Sequence, residues 1–385
     1  MFEQVKAENV ENDAERVENL VLEDVDELVR ERHGEKEYHA PEHSKTVDKN
    51  SAEIFSTIEE HNPGTITEEM ERARKTAARG HDMYIETAID PATGAMIRLR
   101  GLGPDNMPEN VAKILKEQGK PLLGNEEASA VEVIGLATKH DPDQKVYTSD
   151  VNRMITDNIR ATYPIASFVP FEEKVYSTTE TGENRVVITD PDTGEQVDLN
   201  EYLFASPKDR KPIGLKMDQF INEDSELGAM AIAMGDLSQG GRFGSDVFRD
   251  EGNREFWESK PHLAELAGAD MAHIAPSEKS FLATEAISWV QTQLGFLLHQ
   301  KTRFENILGT NKALNALPNA SATKNTLKTL YGEWDRNLIA SVNRTRRIRE
   351  QYTGLKDPAV FEDGKSDAKL KELLEEMSYG GVSRG

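Results

Sequence analysis

Apolar residues recur at helical spacing near the start of the chain. In residues 1–32 they repeat every three or four positions, so they lie on one face of an amphipathic helix whose other faces are charged. The stripe contains Val10, Val17, Val21, Val25 and Leu28. An isolated helix this polar gains little stability from its own propensity and needs a surface to pack against. The pattern therefore predicts that residues 1–32 form an acidic docking helix.

A second periodic pattern covers residues 277–352. Its apolar positions alternate steps of four and three residues, which is the heptad seam of a helix packed along another helix. The main seam positions are Ile287, Leu294, Leu297, Trp334 and Leu338. Because Gly309 and Pro318 interrupt the seam, it predicts two antiparallel helices, each about 40 Å long at about 1.5 Å per residue. A hairpin of this length suits a stalk or a contact between subunits.

Turn-forming residues predict β-hairpins between these helical regions. The sequence Asp-Pro-x-Thr-Gly occurs at 90–94 and again at 190–194, each time between two strand-like segments. Proline presets the backbone at the second position of a turn, and glycine accepts a positive φ at its end. The predicted fold class is α+β and mainly α-helical, with a long antiparallel C-terminal helical hairpin and two β-hairpin regions.

These patterns divide the chain into six segments. Residues 33–64 lack apolar periodicity and are predicted to be a linker. The segments are an acidic docking helix (1–32), a polar linker (33–64), a mixed α/β-hairpin domain (65–212), short helices with glycine-rich joints (213–276), a long helical hairpin (277–352) and a polar tail (353–385).

Composition and charge narrow the range of functions. The chain has 385 residues, no cysteine and a net charge of −23, which excludes disulfides, thiol nucleophiles and cysteine-ligated metal centres. Residues 1–60 carry 18 acidic and 7 basic side chains, whereas residues 301–350 carry 10 basic and 4 acidic ones. No signal-peptide pattern and no unbroken apolar stretch of about 18 residues is present. We expect cytoplasmic synthesis and no membrane span.

The basic segment contains one concentrated arginine cluster, formed by Arg344, Arg346, Arg347 and Arg349. Arginines on a helix can bind phosphates, so the cluster could bind nucleic acid or an acidic partner. No aromatic interleaving or recognisable nucleic-acid module accompanies it, and the overall negative charge opposes such binding. The sequence favours a solvated helix face or a salt-bridge patch, and nucleic acid is not an expected partner.

One histidine motif resembles a metal site. His39, Glu42 and His43 fit the pattern H-x-x-E-H, in which two histidines four residues apart on a helix bind zinc and a glutamate activates water. Pro41 lies between the histidines and disrupts the helix that gives this spacing its meaning. The sequence therefore does not predict a metal or cofactor, and a metal-dependent hydrolase is only the alternative.

The predicted function is a non-catalytic structural or assembly subunit of a large complex. No coherent catalytic constellation emerges from the sequence, whereas the docking helix and the long hairpin suit contacts between chains. The expected partners are copies of the chain itself or other subunits, and a virion or phage particle is the candidate setting. We expect no enzymatic activity.

Overall fold

Two compact units are formed by the chain in the computed structural model. The structure describes residues 2–34, 36, 38–85, 87–89, 96–98, 107–118, 123–171, 176–178 and 184–379. The first unit comprises Met1–Ile165, Asp218–Leu237 and Glu305–Leu327, and the second comprises Ala166–Met217, Ser238–Phe304 and Lys328–Gly385. Helices dominate the described residues and the strands form small antiparallel sheets. The predicted fold class, α+β and mainly α-helical, is confirmed.

The helices vary widely in length. In chain order they are α1 (Phe2–His33), α2 (Pro41–His61), α3 (Glu68–Gly80), α4 (Glu109–Glu117), α5 (Asn125–His140), α6 (Ser149–Arg160), α7 (Leu227–Leu237), α8 (Gln239–Arg242), α9 (Ser245–Ser259), α10 (Pro261–Gly268), α11 (Pro276–Thr310), α12 (Lys312–Asn315), α13 (Ala320–Leu330), α14 (Trp334–Tyr352) and α15 (Asp367–Glu376). Short 3-10 turns occur at Met271–His273, Thr353–Lys356 and Pro358–Phe361.

The strands are short and form three small sheets among the described residues. They are β1 (Thr87–Ile89), β2 (Met96–Arg98), β3 (Pro164–Pro170), β4 (Tyr176–Thr178), β5 (Asn184–Thr189), β6 (Gln196–Asp198), β7 (Phe204–Ala205) and β8 (Pro212–Gln219). The strand orders are β1-β2, β4-β5-β6 and β3-β8-β7.

Both predicted β-hairpins are present. Strands β1 and β2 pair antiparallel, with Ala88 opposite Ile97, and the predicted turn at 90–94 lies outside the described residues. Strands β5 and β6 also pair antiparallel. In their turn, the N–H of Gly194 donates to the carbonyl of Asp190 at 2.8 Å. Gly194 has φ +74°, a conformation that glycine adopts without the cost of a Cβ clash.

The core of the first unit is built by α1, α2, α3, α5, α6 and α7. Val21, Val25 and Val29 of α1 are buried in one cluster with Ala77 of α3 and Val133 of α5. The stripe of α1 therefore packs against helices of its own chain. This differs from the prediction of a separate docking helix, because the periodicity of a helix shows which face is buried but does not show which surface covers it.

The segment predicted to be a linker contains a helix. Residues 41–61 form α2, which buries Val47, Ile54 and Ile58. Pro41 occupies the first turn of α2, where the missing N–H breaks no helical hydrogen bond and the fixed φ suits helix initiation. The linker prediction over 33–64 is therefore wrong for most of its length. Proline was interpreted as a helix breaker where it starts a helix.

In the second unit, α11 and α14 run antiparallel. The ring of Phe304 lies 5.8 Å from that of Trp334. Further along, Arg344 donates to Gln293 at 3.0 Å. From the first contact to the second, the residue number decreases along α11 and increases along α14. The two helices are therefore antiparallel, as in the predicted hairpin. The predicted second helix is not continuous, since α13 ends at Leu330 and α14 begins at Trp334.

Two glycines predicted as a flexible joint instead permit close packing. A Cβ on Gly240 would lie 2.4 Å from a methyl carbon of Leu297, and one on Gly241 would lie 2.1 Å from the ring of Trp334. Any side chain at these two positions would therefore displace the seam residues of the helical hairpin. Both glycines lie within the short helix α8. They let this helix approach Leu297 and Trp334 closely, which is a steric role.

Candidate functional site

Three elements of the first unit bring two histidines and two aspartates together. His43 lies in the first turn of α2, and His81 and Asp82 follow directly after α3. Asp236 lies in the last turn of α7. His43 and His81 are 5% and 2% exposed, and Asp236 is 8% exposed. We call these four residues the His–Asp cluster.

The ring nitrogens and carboxylates of the His–Asp cluster face one another. The Nε2 atom of His43 lies 3.2 Å from Oδ1 of Asp236 and 3.5 Å from Oδ2 of Asp82. The Nε2 atom of His81 lies 3.0 Å from the same Asp82 oxygen and 3.9 Å from Oδ1 of Asp236. The donor atoms of His43, His81 and Asp82 all lie within 4.8 Å of one another. Such a set can hold a proton-linked ion-pair network or a divalent cation.

Neighbouring groups fix the orientation of the His–Asp cluster. The Nδ1 atom of His81 donates to the carbonyl of Ala78 at 2.9 Å, which turns Nε2 toward the carboxylates. The side-chain amide of Gln219 donates to Oδ2 of Asp236 at 2.6 Å and leaves Oδ1 directed at the histidines. Partners of this kind restrict the rotamers of the inner groups.

The charges of the cluster shift its pKa values in opposite directions. Burial lowers the pKa of His81, but the negative charges of Asp82 and Asp236 outweigh burial and raise it to about 9. Burial also opposes protonation of His43, whose pKa the hydrogen bond and charge of Asp236 nevertheless raise. Burial raises the pKa of Asp82, but the nearby positive charge of His81 has the larger, opposite effect. The pKa of Asp82 therefore lies well below its usual range.

A pH dependence follows for protein kept free of metal ions. The pKa of His81 rises from 6.5 to about 9 on folding. Its stabilising contribution is therefore fully present below pH 6.5 and is lost as pH rises through about 9, an effect of about 3 kcal/mol. We expect the difference in unfolding free energy between the wild type and His81→Gln to shrink by this amount between pH 6 and about pH 9.5. Urea denaturation at both pH values tests this, and a constant difference would contradict it.

Other aromatic and histidine side chains surround His43. The ring of Tyr38 lies 4.8 Å from that of His43, and the ring of His39 lies 5.9 Å from it. His39 is 6% exposed, whereas Glu42 is exposed. The H-x-x-E-H motif does not form a metal site by itself. The potential ligand atoms that lie near His43 belong to His81 and Asp82, and Glu42 is not among them.

Arg344 of the predicted basic patch is a half-buried structural group. Its guanidinium donates to the side chains of Gln293 and Asn253 at 3.0 and 3.1 Å, and to the carbonyl of Glu376 at 2.8 Å. Burial lowers its pKa to about 10. This arginine therefore ties α14 to α9, α11 and α15.

The remaining arginines of the basic patch also contact their own chain. Their partners are the Tyr202 hydroxyl for Arg346, the Glu376 carboxylate for Arg347 and the Glu201 carbonyl for Arg349. These contacts occupy part of the hydrogen-bonding capacity that a phosphate group would need. A role in binding nucleic acid or an acidic partner stays a prediction.

The predicted interface residues of α1 lie mostly in the core of the first unit. Val21 and Val25 are fully buried there, and Val17 and Leu28 are partly buried against the same cluster. The side chain of Val10 lies outside the described residues. The chain itself covers most of this stripe, and a contact with another chain through it stays a prediction.

The predicted interface residues of the hairpin are likewise buried within the chain. They are Ile287, Leu294, Leu297, Trp334 and Leu338, none of which is more than 5% exposed. Their heptad spacing correctly indicates an apolar seam between helices. Burial within the chain leaves these side chains little surface to offer a neighbour.

Sequence reasoning missed most of the His–Asp cluster. His81, Asp82 and Asp236 were not singled out, and His43 was assigned to a local motif. The adjacent His81 and Asp82, which directly follow α3, were the available signal. Nothing in the spacing from 43 to 82 to 236 indicates that these residues meet, because the packing of α2, α3 and α7 brings them together.

Comparison with protein-family models, curated proteins and solved structures gives no match to this chain. Among the residues that the structure describes, no helix combines the length and the apolar character needed to cross a membrane.

Proposed function

We propose that this chain is a non-catalytic structural or assembly subunit that associates with copies of itself through strand β3. The observation that carries this proposal is an exposed, uncharged edge strand in the second unit. Strand β3 is at one end of the order β3-β8-β7, and no described strand pairs with its outer edge. An unpaired strand edge offers backbone N–H and C=O groups to another chain.

Strand β3 also exposes apolar surface. Phe168 is 52% exposed, and its ring contacts that of Phe204 edge-on, with 5.8 Å between the ring centroids. Ala166 and Ser167 beside it are exposed. Burial of such a patch against a second chain contributes about 25 cal/mol for each Å² of apolar surface removed from water.

The charge distribution favours a second copy at this position. Two chains that each carry a net charge of −23 repel one another over most of their surfaces. The sequence of β3, Pro-Ile-Ala-Ser-Phe-Val-Pro, contains no charged residue. Two copies can therefore approach here without placing carboxylates against carboxylates. Pro164 and Pro170 at its ends restrict backbone pairing to the residues between them.

The test is the molar mass in solution. Light scattering coupled to size-exclusion chromatography is expected to show a dimer or larger species of the wild type at about 50 µM. Phe168→Lys is expected to raise the dissociation constant about 30-fold or more, since loss of a central aromatic anchor costs about 2 kcal/mol. Phe281→Lys is the matched control, because Phe281 is 47% exposed on α11. A strict monomer at about 100 µM, or equal effects of both substitutions, would overturn the proposal.

A further inference from the structure

We propose that the His–Asp cluster is a binding site for a divalent transition metal ion of the Zn²⁺ class. The proposed ligands are Nε2 of His43, Nε2 of His81, Oδ2 of Asp82 and Oδ1 of Asp236. This site goes beyond the assembly function and does not depend on it, because the cluster lies in the first unit and β3 contributes its exposed residues to the second.

The separations between these atoms suit tetrahedral coordination. Zinc binds imidazole nitrogen and carboxylate oxygen at about 2.0–2.1 Å, so neighbouring ligand atoms in a tetrahedral site lie about 3.3–3.4 Å apart. The four nitrogen–oxygen distances in the cluster are 3.0, 3.2, 3.5 and 3.9 Å. They bracket the ideal separation. The donor atoms of His43, His81 and Asp82 all lie within 4.8 Å of one another, so these three are the principal proposed ligands, and Asp236 is the proposed fourth through its contact with His43.

The charges of the cluster match a divalent ion. Two aspartates contribute two negative charges, and the histidines are neutral when they act as ligands. A divalent cation therefore makes the site neutral as a whole. Neutrality matters because an uncompensated charge in a buried site carries a large desolvation cost.

The buried Nε2 atom of His81 is paired by charge with Asp82 but makes no well-aligned hydrogen bond. His81 is 2% exposed, and its Nε2 lies 3.0 Å from Oδ2 of Asp82. A metal ion between the nitrogen and the carboxylate would satisfy both atoms.

The outer contacts are those expected around metal ligands. A ligating histidine usually donates its other ring nitrogen to a carbonyl or carboxylate. His81 does so through Nδ1 to Ala78, and Gln219 holds the second oxygen of Asp236. These contacts leave Nε2 of His81 and Oδ1 of Asp236 directed at the centre of the cluster.

The donor types identify the class of ion. Mg²⁺ and Ca²⁺ prefer six or more oxygen ligands, whereas two imidazole nitrogens with carboxylate oxygens suit Zn²⁺, Co²⁺ and related ions. The ion would connect the start of α2, the end of α3 and the end of α7 within the first unit. Its role would then be structural, because it would hold three elements that are distant in sequence.

The first experiment uses the complete chain, purified without a histidine tag and stripped of metal by a chelator. Isothermal titration with ZnCl₂ is expected to show one site per chain with a dissociation constant below about 1 µM. Titration with CoCl₂ is expected to give the intense visible absorption of tetrahedral Co²⁺. Millimolar or multi-site binding, or equal binding of MgCl₂ or CaCl₂, would overturn the proposal without any variant being made.

Substitutions then locate the ion. We expect His81→Gln and Asp82→Asn each to weaken zinc binding about 100-fold or more, and Gln219→Ala to weaken it about 10- to 100-fold while the Co²⁺ spectrum stays tetrahedral. His273→Gln is the matched control, since the side chain of His273 is 82% exposed and remote in sequence. Circular dichroism of each metal-free variant confirms folding before titration. Unchanged binding in the folded His81→Gln and Asp82→Asn variants would contradict the assignment.

Discussion

Replacing Arg74 with methionine is expected to lower the free energy of unfolding of the first unit by about 3–5 kcal/mol, the cost typical of breaking a buried ion pair by removing one partner. Arg74 is 1% exposed and links α3 to α2. Its guanidinium donates to the side chain and the carbonyl of Asp48, both at 2.8 Å, and to the hydroxyl of Ser51 at 2.7 Å.

The large cost arises from the groups that the substitution leaves behind. Asp48 is mostly buried, with a side chain 17% exposed. It would lose its nearer cation and keep only the longer contact, 3.5 Å, with Arg79. The carbonyl of the same residue would lose a hydrogen bond. Methionine retains much of the apolar contact of the arginine stem, so the loss measures the ion pair and its hydrogen bonds rather than a cavity.

Urea denaturation can assign this change to the first unit. The chain has three tryptophans, Trp257, Trp289 and Trp334, and all of them belong to the second unit. Arg74→Met should therefore shift the transition seen by far-UV circular dichroism more than the transition seen by tryptophan fluorescence. Arg16→Met is the control, since its side chain is 72% exposed beside Asp13, and a change within about 0.5 kcal/mol is expected. Equal stability losses in both variants would contradict the role assigned to Arg74.

Replacing Val25 with aspartate is expected to destabilise the first unit by about 4 kcal/mol or more, because it buries a carboxylate in an apolar cluster. Val25 is fully buried, in one cluster with Ala77, Val133 and Ile155. A methyl group of Val25 lies 3.6 Å from the position that a Cβ on Gly80 would occupy. This close packing leaves no path for the carboxylate to reach water without separation of the helices.

Leu20→Asp is the matched control on the same helix. Leu20 is 38% exposed, so an aspartate there can remain hydrated and should cost less than about 1 kcal/mol. Thermal unfolding followed by circular dichroism, together with molar mass by light scattering, separates two roles for α1. If Val25→Asp left the fold intact and only reduced the molar mass, the stripe would contact another chain, and its assignment to the core of the first unit would be wrong.

Periodicity identified buried faces more reliably than it identified their partners. The stripe of α1 and the seam of the helical hairpin are both buried, as their spacing predicts. Their assignment to neighbouring chains came from the polarity of the remaining faces. Polarity shows that a face is hydrated and carries no information about what covers the opposite face.

Proline shows a similar limit at the start of α2. Pro41 was correctly recognised as incompatible with the interior of a helix, but it occupies the first turn, where it is tolerated. Because Pro41 starts a helix instead of interrupting one, residues 41–61 form a core helix and not a linker. The helix also places His43 on a rigid element, which a ligand or ion-pair site requires.

Local order along the chain determined the helical content, the second Asp-Pro-x-Thr-Gly turn and the absence of cysteine chemistry, because each depends on residues within a few positions of one another. Only the tertiary structure decided that His43, His81, Asp82 and Asp236 meet and that the guanidinium of Arg344 is held by three other helices. Those outcomes depend on how whole helices pack, and packing sums many weak contacts between residues distant in sequence. No local pattern of residues encodes that sum.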